Sequence, residues 1–152
     1  MNDPADHMDV GSEWMADARG CDAEALADLD RMRGLCERII GELELKVIGT
    51  GQWHQFPAPG GVTGLYLLSE SHLACHTYPE IGVATFNLYC CRPRPRWPWE
   101  ARLIEALGAD GVMVRFITRN ACAESDADDR LSRRRAIDSA AANPAVLEVA
   151  NP

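Results

Sequence analysis

The sequence has no apolar run near the roughly 20 residues that a helix needs to cross a bilayer. It also lacks a surplus of positive charge, because 15 lysine and arginine residues stand against 23 aspartate and glutamate residues. Nucleic-acid binding needs a basic stripe that neutralises phosphates, so neither a membrane nor a nucleic acid is an expected partner. The polar N-terminus has no basic region followed by an apolar one, which predicts a cytoplasmic protein without a secretory signal.

The cysteines form no C-x-x-C pair, and no histidine lies at zinc-finger spacing from them. A structural zinc site is therefore not expected, and the metal prediction is none. Reduced thiols in a cytosol fit this pattern, with most of them acting as small buried hydrophobic residues. The six are Cys21, Cys36, Cys75, Cys90, Cys91 and Cys122.

The two ends of the 152-residue chain differ from its middle. Residues 1–12 show no apolar period, and residues 121–152 are rich in alanine, aspartate, serine and arginine with few large apolar side chains. We therefore predict one domain, residues 13–120, between a flexible lead and an acidic, alanine-rich tail.

Between these ends, helical and strand periods alternate. After Asp22, a good N-cap residue, apolar side chains recur every three or four residues as far as Leu43, which predicts an amphipathic helix of about 20 residues. Pro98 opens a second predicted helix. The predicted extended segments are 13–19, 43–48, 52–56, 62–69, 72–77, 83–91 and 112–118. This order predicts an α+β fold, a two-layer α/β sandwich whose mainly antiparallel sheet carries two helices on one face.

Residues 60–91 concentrate the side chains that carry nucleophilic and proton-transfer chemistry. An apolar strand follows a glycine-flanked turn, and polarity then changes abruptly at Ser69-Glu70-Ser71-His72. His76, a Thr-Tyr-Pro-Glu turn, an alternating strand and two cysteines come next. Serine, histidine and cysteine at strand ends, in otherwise apolar surroundings, indicate a reaction site.

The pattern in this stretch resembles the prokaryotic S-adenosylmethionine decarboxylases, small pyruvoyl-dependent enzymes of polyamine synthesis. Several fixed spacings match at once, and the resemblance covers about residues 11–120. The matching residues are Gly61-Val62-Thr63-Gly64, the strand 65–69, Glu70-Ser71-His72-Leu73-Ala74-Cys75-His76-Thr77-Tyr78-Pro79-Glu80, and Cys91.

The resemblance implies that the chain cuts its own backbone between Glu70 and Ser71, giving a β chain, 1–70, and an α chain, 71–152. The Ser71 hydroxyl would attack the Glu70 carbonyl carbon, and elimination from the resulting ester would leave a covalent pyruvoyl group derived from Ser71. That ketone forms a Schiff base with the substrate and acts as the electron sink that decarboxylation requires. The single lysine, Lys46, in a predicted strand, argues against pyridoxal phosphate as the sink.

The family pattern also implies roles for the surrounding side chains. His76 is the proton acceptor in processing, Thr63 is a hydrogen-bonding helper, and Cys91 is the proton donor in catalysis. Because neighbours in a strand point to opposite faces, only one of Cys90 and Cys91 can serve, and a bulge there would select Cys90.

The family's substrate, S-adenosylmethionine, implies three binding contacts by the same resemblance. Glu80 is the candidate for the ribose hydroxyls, and Phe56 and Tyr78 are the aromatic candidates for stacking on the adenosine and for contact with the positive sulfonium. The family further implies a homodimer of cleaved units whose sheets pack face to face, with active sites near the boundary. The arginine- and proline-rich run, residues 92–98, predicts a solvated loop that could hold an acidic effector or the partner subunit.

Three functions remain open from the sequence. The first is S-adenosylmethionine decarboxylation, which releases CO2 and supplies the aminopropyl donor for spermidine. The second is pyruvoyl-dependent decarboxylation of L-ornithine or L-arginine on the same scaffold. The third is an uncleaved, non-catalytic binding or regulatory module, against which the intact Ser71, His76 and Cys91 argue. A metal site built from His72 and His76, which Glu70 and Glu80 could join, is a further, weaker alternative.

Overall fold

The computed structural model describes residues 8–121 of the chain, with side-chain environments for residues 10–119. The strands are β1 (Met8–Arg19), β2 (Gln52–Gln55), β3 (Val62–Leu68), β4 (Ser71–Tyr78), β5 (Val83–Cys90) and β6 (Gly111–Ala121). The helices are α1 (Ala23–Ala27), α2 (Leu29–Glu42) and α3 (Trp99–Leu107), with a 3-10 turn at Pro79–Ile81. Asp9–Arg119 form one compact unit. The predicted tail, apart from Ala121, and residues 1–7 of the predicted lead lie outside the described residues.

The strands form a single sheet in the order β2-β3-β4-β5-β1-β6. The pairs β2–β3, β3–β4, β4–β5 and β5–β1 are all antiparallel. The predicted α+β class, a helical layer on a mainly antiparallel sheet, is therefore confirmed, although residues 8–121 contain three helices where the sequence predicted two. None of the helices among the described residues is long and apolar enough to cross a membrane.

The helix predicted after Asp22 is divided at Asp28. Asp28 has an extended backbone (φ −83°, ψ 101°), ends α1 and is the N-cap of α2. Its carboxylate accepts a hydrogen bond from the Arg31 backbone N–H at 3.0 Å. An aspartate side chain that binds free backbone donors favours a new helix start over continuation. The apolar period runs through this break, so periodicity alone predicted one helix.

The extended segment predicted at 43–48 is wrong as a strand. Its only sheet contact among the described residues is a single bridge between Val47 and Leu68. Glu44 has a positive φ of 52°, which interrupts extended backbone. The first strand, in contrast, begins at Met8, five residues before the predicted segment.

Alternation along the strands divides the sheet into a helix-covered face and an open face. Leu73, Phe86 and Leu88 are buried under the helices together with Met32 and Trp99. Removing a large apolar side chain from water contributes about 1.5–3 kcal/mol, so this layer supplies much of the stability. The opposite side of β3 and β4 is the open face, defined by Thr63, Leu65, Leu67, Ala74 and His76, of which Leu65 and Leu67 are 44% and 57% exposed.

Candidate active site

The turn between β3 and β4 places backbone strain at the predicted cleavage junction. Leu68 pairs with Ser71, so Ser69 and Glu70 are the two residues of the hairpin loop. Ser71 has a φ of 148°, a value that residues with a Cβ atom rarely adopt. Strained backbone of this kind persists where the surrounding structure enforces it, and it is common at reactive sites.

The carbonyl oxygen of Glu70 accepts a hydrogen bond from the backbone N–H of Cys91 at 2.9 Å. Cys91 follows β5 directly, and the register Ser71↔Cys90 brings the end of β5 beside the start of β4. An N–H aimed at a carbonyl oxygen stabilises the negative charge that forms there when a nucleophile attacks the carbonyl carbon. The Glu70 carbonyl at the predicted cleavage junction is thus already polarised toward attack.

The Ser71 hydroxyl contacts an imidazole. Its Oγ lies 3.2 Å from Nδ1 of His72, and the His72 ring lies 5.9 Å from the ring of Tyr89, its cross-strand partner. When Nδ1 is unprotonated, the hydroxyl donates to it, and the ring is placed to accept the hydroxyl proton. The sequence pattern gave His72 no role in proton transfer, because adjacency in sequence does not reveal this distance. We call Glu70, Ser71, His72 and Cys91 the cleavage cluster.

The two adjacent cysteines have different environments. Cys91 is exposed and lines a cavity of about 330 Å³ beside the cleavage cluster. Cys90 is 1% exposed in the core and keeps a regular register with both Ser71 and Ser12. Burial, with a smaller effect from the Glu70 charge, raises the pKa of the Cys90 thiol to about 11. The bulge that would favour Cys90 is absent between the paired strands described here, and Cys91 remains the predicted proton donor.

A second group of predicted residues surrounds a cleft of about 300 Å³. Thr63 Oγ1 and His76 Nδ1 are 2.7 Å apart across the β3–β4 pair. The three predicted substrate contacts line the same cleft, so the structure brings them together with the two predicted processing residues. We call Phe56, Thr63, His76, Tyr78 and Glu80 the histidine cleft.

Within one chain, the histidine cleft lies far from Ser71. His76 follows Ser71 by five positions on the same strand, a separation of about 16 Å at the rise of an extended chain. Thr63 pairs directly with His76 and is equally remote. The predicted site residues therefore form two clusters in a single chain, with Glu70, Ser71 and Cys91 in one of them.

Arg94 contradicts the prediction of a wholly solvated loop at residues 92–98. Its Nε donates to Glu70 Oε2 at 2.9 Å, and its terminal nitrogen donates to the other carboxylate oxygen. The side chains of Arg94 and Glu70 are only 23% and 13% exposed. Nothing in the local sequence marks this contact, which spans 24 positions.

The alternative metal pair, His72 and His76, has no third ligand beside it among the described residues. No group of three or more histidine, cysteine, aspartate or glutamate side chains within residues 8–121 is arranged to hold a metal ion. Within that range, His72 contacts the Ser71 hydroxyl and His76 contacts the Thr63 hydroxyl.

Comparison with known proteins decides the family. A sequence model described as S-adenosylmethionine decarboxylase matches residues 12–120. The chain belongs to the S-adenosylmethionine decarboxylase family. It is 32% identical to an S-adenosylmethionine decarboxylase proenzyme of Thermoplasma acidophilum over 80% of this chain and 92% of the relative. It is 37% identical to the proenzyme of Acetivibrio thermocellus over 60% of this chain and 72% of the relative.

A solved structure supports the same assignment. The crystal structure of the adenosylmethionine decarboxylase from Aquifex aeolicus superposes with a TM-score of 0.62 at 30% identity, covering 76% of this chain and 95% of that one. The family resemblance is thus confirmed, and the family is one of carboxy-lyases. Both clusters lie within the matched residues 12–120.

Proposed function

We propose that this member of the S-adenosylmethionine decarboxylase family cuts itself between Glu70 and Ser71 and then decarboxylates S-adenosylmethionine with a pyruvoyl group derived from Ser71. The products are CO2 and decarboxylated S-adenosylmethionine, the aminopropyl donor for spermidine, and the predicted compartment remains the cytoplasm. The observation that carries the proposal is the Glu70–Ser71 junction, where a strained serine, a base and an N–H donor meet.

The first step is an acyl shift within the cleavage cluster. Ser71 Oγ attacks the Glu70 carbonyl carbon while His72 Nδ1 accepts the hydroxyl proton. The Cys91 N–H stabilises the negative oxygen, the C–N bond breaks, and the proton passes to the released Ser71 nitrogen. The product is an ester between Glu70 and the Ser71 side chain. Release of the Ser71 backbone strain favours this otherwise uphill step.

The second step removes the Ser71 α-proton and expels the Glu70 carboxylate. The proposed base is His76. In the tautomer whose Nδ1–H donates to Thr63 Oγ1, the Nε2 lone pair is free to accept that proton. Water then replaces the nitrogen, which leaves as ammonia, and a ketone remains at residue 71. The residues of both clusters fit these roles.

The distance between the clusters supports a site made by two copies of the chain. The proposed base is about 16 Å from Ser71 in its own chain, far beyond proton-transfer reach. The open face that carries Thr63 and His76 also exposes Leu65 and Leu67. We therefore propose a homodimer whose open faces pack together, so that the histidine cleft of one chain serves the cleavage cluster of the other.

The same cleft supports the choice of S-adenosylmethionine over ornithine or arginine. Phe56 and Tyr78 are 51% and 40% exposed and offer aromatic faces to a flat adenosine and a positive sulfonium. Glu80 offers a carboxylate to ribose hydroxyls, which neither amino acid possesses. The pyruvoyl group supplies the electron sink for decarboxylation, and Cys91, the exposed thiol of the cleavage cluster, is the proposed donor of the proton that returns to Cα.

Two measurements on purified protein test this function. Intact-mass analysis should find chains 1–70 and 71–152, the second without a free amino terminus. CO2 release should then be measured from carboxyl-labelled S-adenosylmethionine, ornithine and arginine, and we expect it from the first alone. CO2 release from ornithine or arginine would show that this amino acid is the substrate. A single full-length species without CO2 release would favour a non-catalytic module.

A further inference from the structure

The segment that follows β5 holds Glu70 at two places. The Cys91 N–H binds the Glu70 carbonyl oxygen, and the Arg94 guanidinium binds both oxygens of the Glu70 carboxylate. We propose that Arg94 is a positioning residue for self-cleavage, which fixes Glu70 so that its carbonyl carbon stays beside the Ser71 hydroxyl. This inference rests on the proposed self-cleavage.

The loop is built to keep Arg94 in place. Pro93 and Pro95 flank it, and proline fixes its own φ and restricts the residue before it. Trp97 anchors the end of the segment, since it is 2% exposed and its indole N–H donates to Glu42 at 2.8 Å. A loop constrained at both ends loses little conformational freedom when its central arginine binds Glu70.

The ion pair itself is better suited to positioning than the other pairs of this surface. Arginine meets a carboxylate through two parallel hydrogen bonds, which fix orientation as well as distance. At 23% and 13% exposure, it is more protected from solvent than Arg38–Glu42, at 36% and 34%. Exposed pairs contribute little, whereas a shielded bidentate pair holds its geometry.

Glu70 has few other restraints. It lies in a two-residue hairpin loop, and the strained Ser71 follows it. Without the arginine, the carboxylate would turn toward water, and rotation of the Glu70 backbone would weaken the Cys91 contact. The acyl shift would then start from a less populated geometry, so its rate would fall although both reacting groups remain.

The test follows self-cleavage after a pulse of cell-free synthesis, by the conversion of full-length chain to the two fragments. Arg94→Ala should slow the rate at least about tenfold, as expected for the loss of a charged hydrogen-bonded partner. Arg94→Lys should fall between Arg94→Ala and wild type, because lysine cannot form the fork. Arg96→Ala is the matched control. Arg96 lies in the same loop, and its substitution removes an exposed ion pair with Glu100 of α3, so it should change the rate less than about twofold.

A double-mutant cycle separates positioning from general stability. In a Glu70→Gln background, Arg94→Ala should slow cleavage much less than it does in wild type. Uncut Ser71→Ala and Ser71→Ala/Arg94→Ala chains should have similar Tm values. Additive rate effects together with a large fall in Tm would overturn the proposal by making Arg94 a stabilising residue.

The remaining outcomes are distinct. If wild type is cut and Arg94→Ala is cut at the same rate, the positioning role is wrong while the proposed function stands. If Arg94→Ala is cut normally but has a raised KM for S-adenosylmethionine, Arg94 binds substrate and the inference is wrong. If wild type itself is not cut, the proposed function fails, and the role of Arg94 fails with it.

Discussion

Ser71 and His76 lie on the same strand, about 16 Å apart, yet the proposed processing reaction needs both of them at one carbon atom. The strand cannot fold back on itself, because β4 is paired with β5 along its whole length and with β3 from Ser71 to His76. The proposed second copy of the chain would resolve this separation, and three predictions depend on which residue acts from which copy or at which step.

Two uncut variants should restore cleavage to each other. Ser71→Ala lacks the nucleophile and His76→Ala lacks the base, but a mixed dimer contains one site with Ser71 from one chain and His76 from the other. When the two are co-expressed, the His76→Ala chain, carrying a size tag, should be cut. Ser71→Ala/His76→Ala in place of Ser71→Ala is the control and should give no cut. Absence of cleavage in the first mixture, with mixed dimers demonstrated, would place both residues in one chain.

Variants of the two histidines should stop at different stages of self-cleavage. His72→Ala removes the acceptor of the hydroxyl proton and should slow ester formation by about 10²–10⁴-fold, the usual contribution of a general base. His76→Ala should form the ester and stop there. Hydroxylamine cleaves esters readily, so it should release fragments from His76→Ala and not from His72→Ala. Equal release from both variants would contradict the assignment of His72 to the acyl shift.

Substitution of the two adjacent cysteines should distinguish self-cleavage from catalytic turnover. Cys91→Ala keeps the backbone N–H on the Glu70 carbonyl and should cut itself, but its kcat per pyruvoyl group should fall by about 10²–10⁴-fold, as for the loss of a general acid. Cys90→Ala is the matched control, because its thiol is buried in the core, and it should retain turnover. Full turnover by Cys91→Ala would remove this thiol from the mechanism.

Cys90 should instead affect stability at high pH. Its pKa of about 11 in the folded protein lies above the ordinary value of 9.0, so between these values the folded chain holds a proton that the unfolded chain has lost. The free energy of unfolding should therefore fall as pH rises from 9 toward 11, by up to about 1.4 kcal/mol per pH unit from this group.

Denaturant unfolding in the uncut Ser71→Ala background measures this contribution. Cys90→Ala should show a shallower decline than its parent over the same pH range. Val62→Ala, a buried change without a titrating group, should lower stability equally at every pH. Parallel declines in the Cys90→Ala and parent chains would show that the thiol does not titrate as proposed.

Much of this architecture was accessible from the sequence, because the responsible forces are local. An apolar run predicted β3, alternation predicted β5, β4 was predicted between them with nearly the observed bounds, and fixed spacings identified the family. The break at Asp28 was missed because one capping carboxylate overrides a continuous apolar period. The strand predicted at 43–48 was wrong because apolar content does not report the positive φ of Glu44.

The site was only partly predictable for a different reason. Spacing along the chain grouped Ser71 with His76, whereas the sheet separates them and pairs His76 with Thr63. The contact between Arg94 and Glu70 depends on the end of β5 lying beside the β3–β4 turn. Such contacts arise from strand order and register, which no short motif encodes.

The most direct test is mass analysis of the junction at residues 70 and 71 in freshly purified wild-type protein. We expect a fragment that ends at Glu70 with a free carboxylate and a second fragment, 71–152, that starts with a pyruvoyl group and resists Edman degradation. A continuous peptide across Glu70 and Ser71 in folded, homogeneous protein would contradict the account.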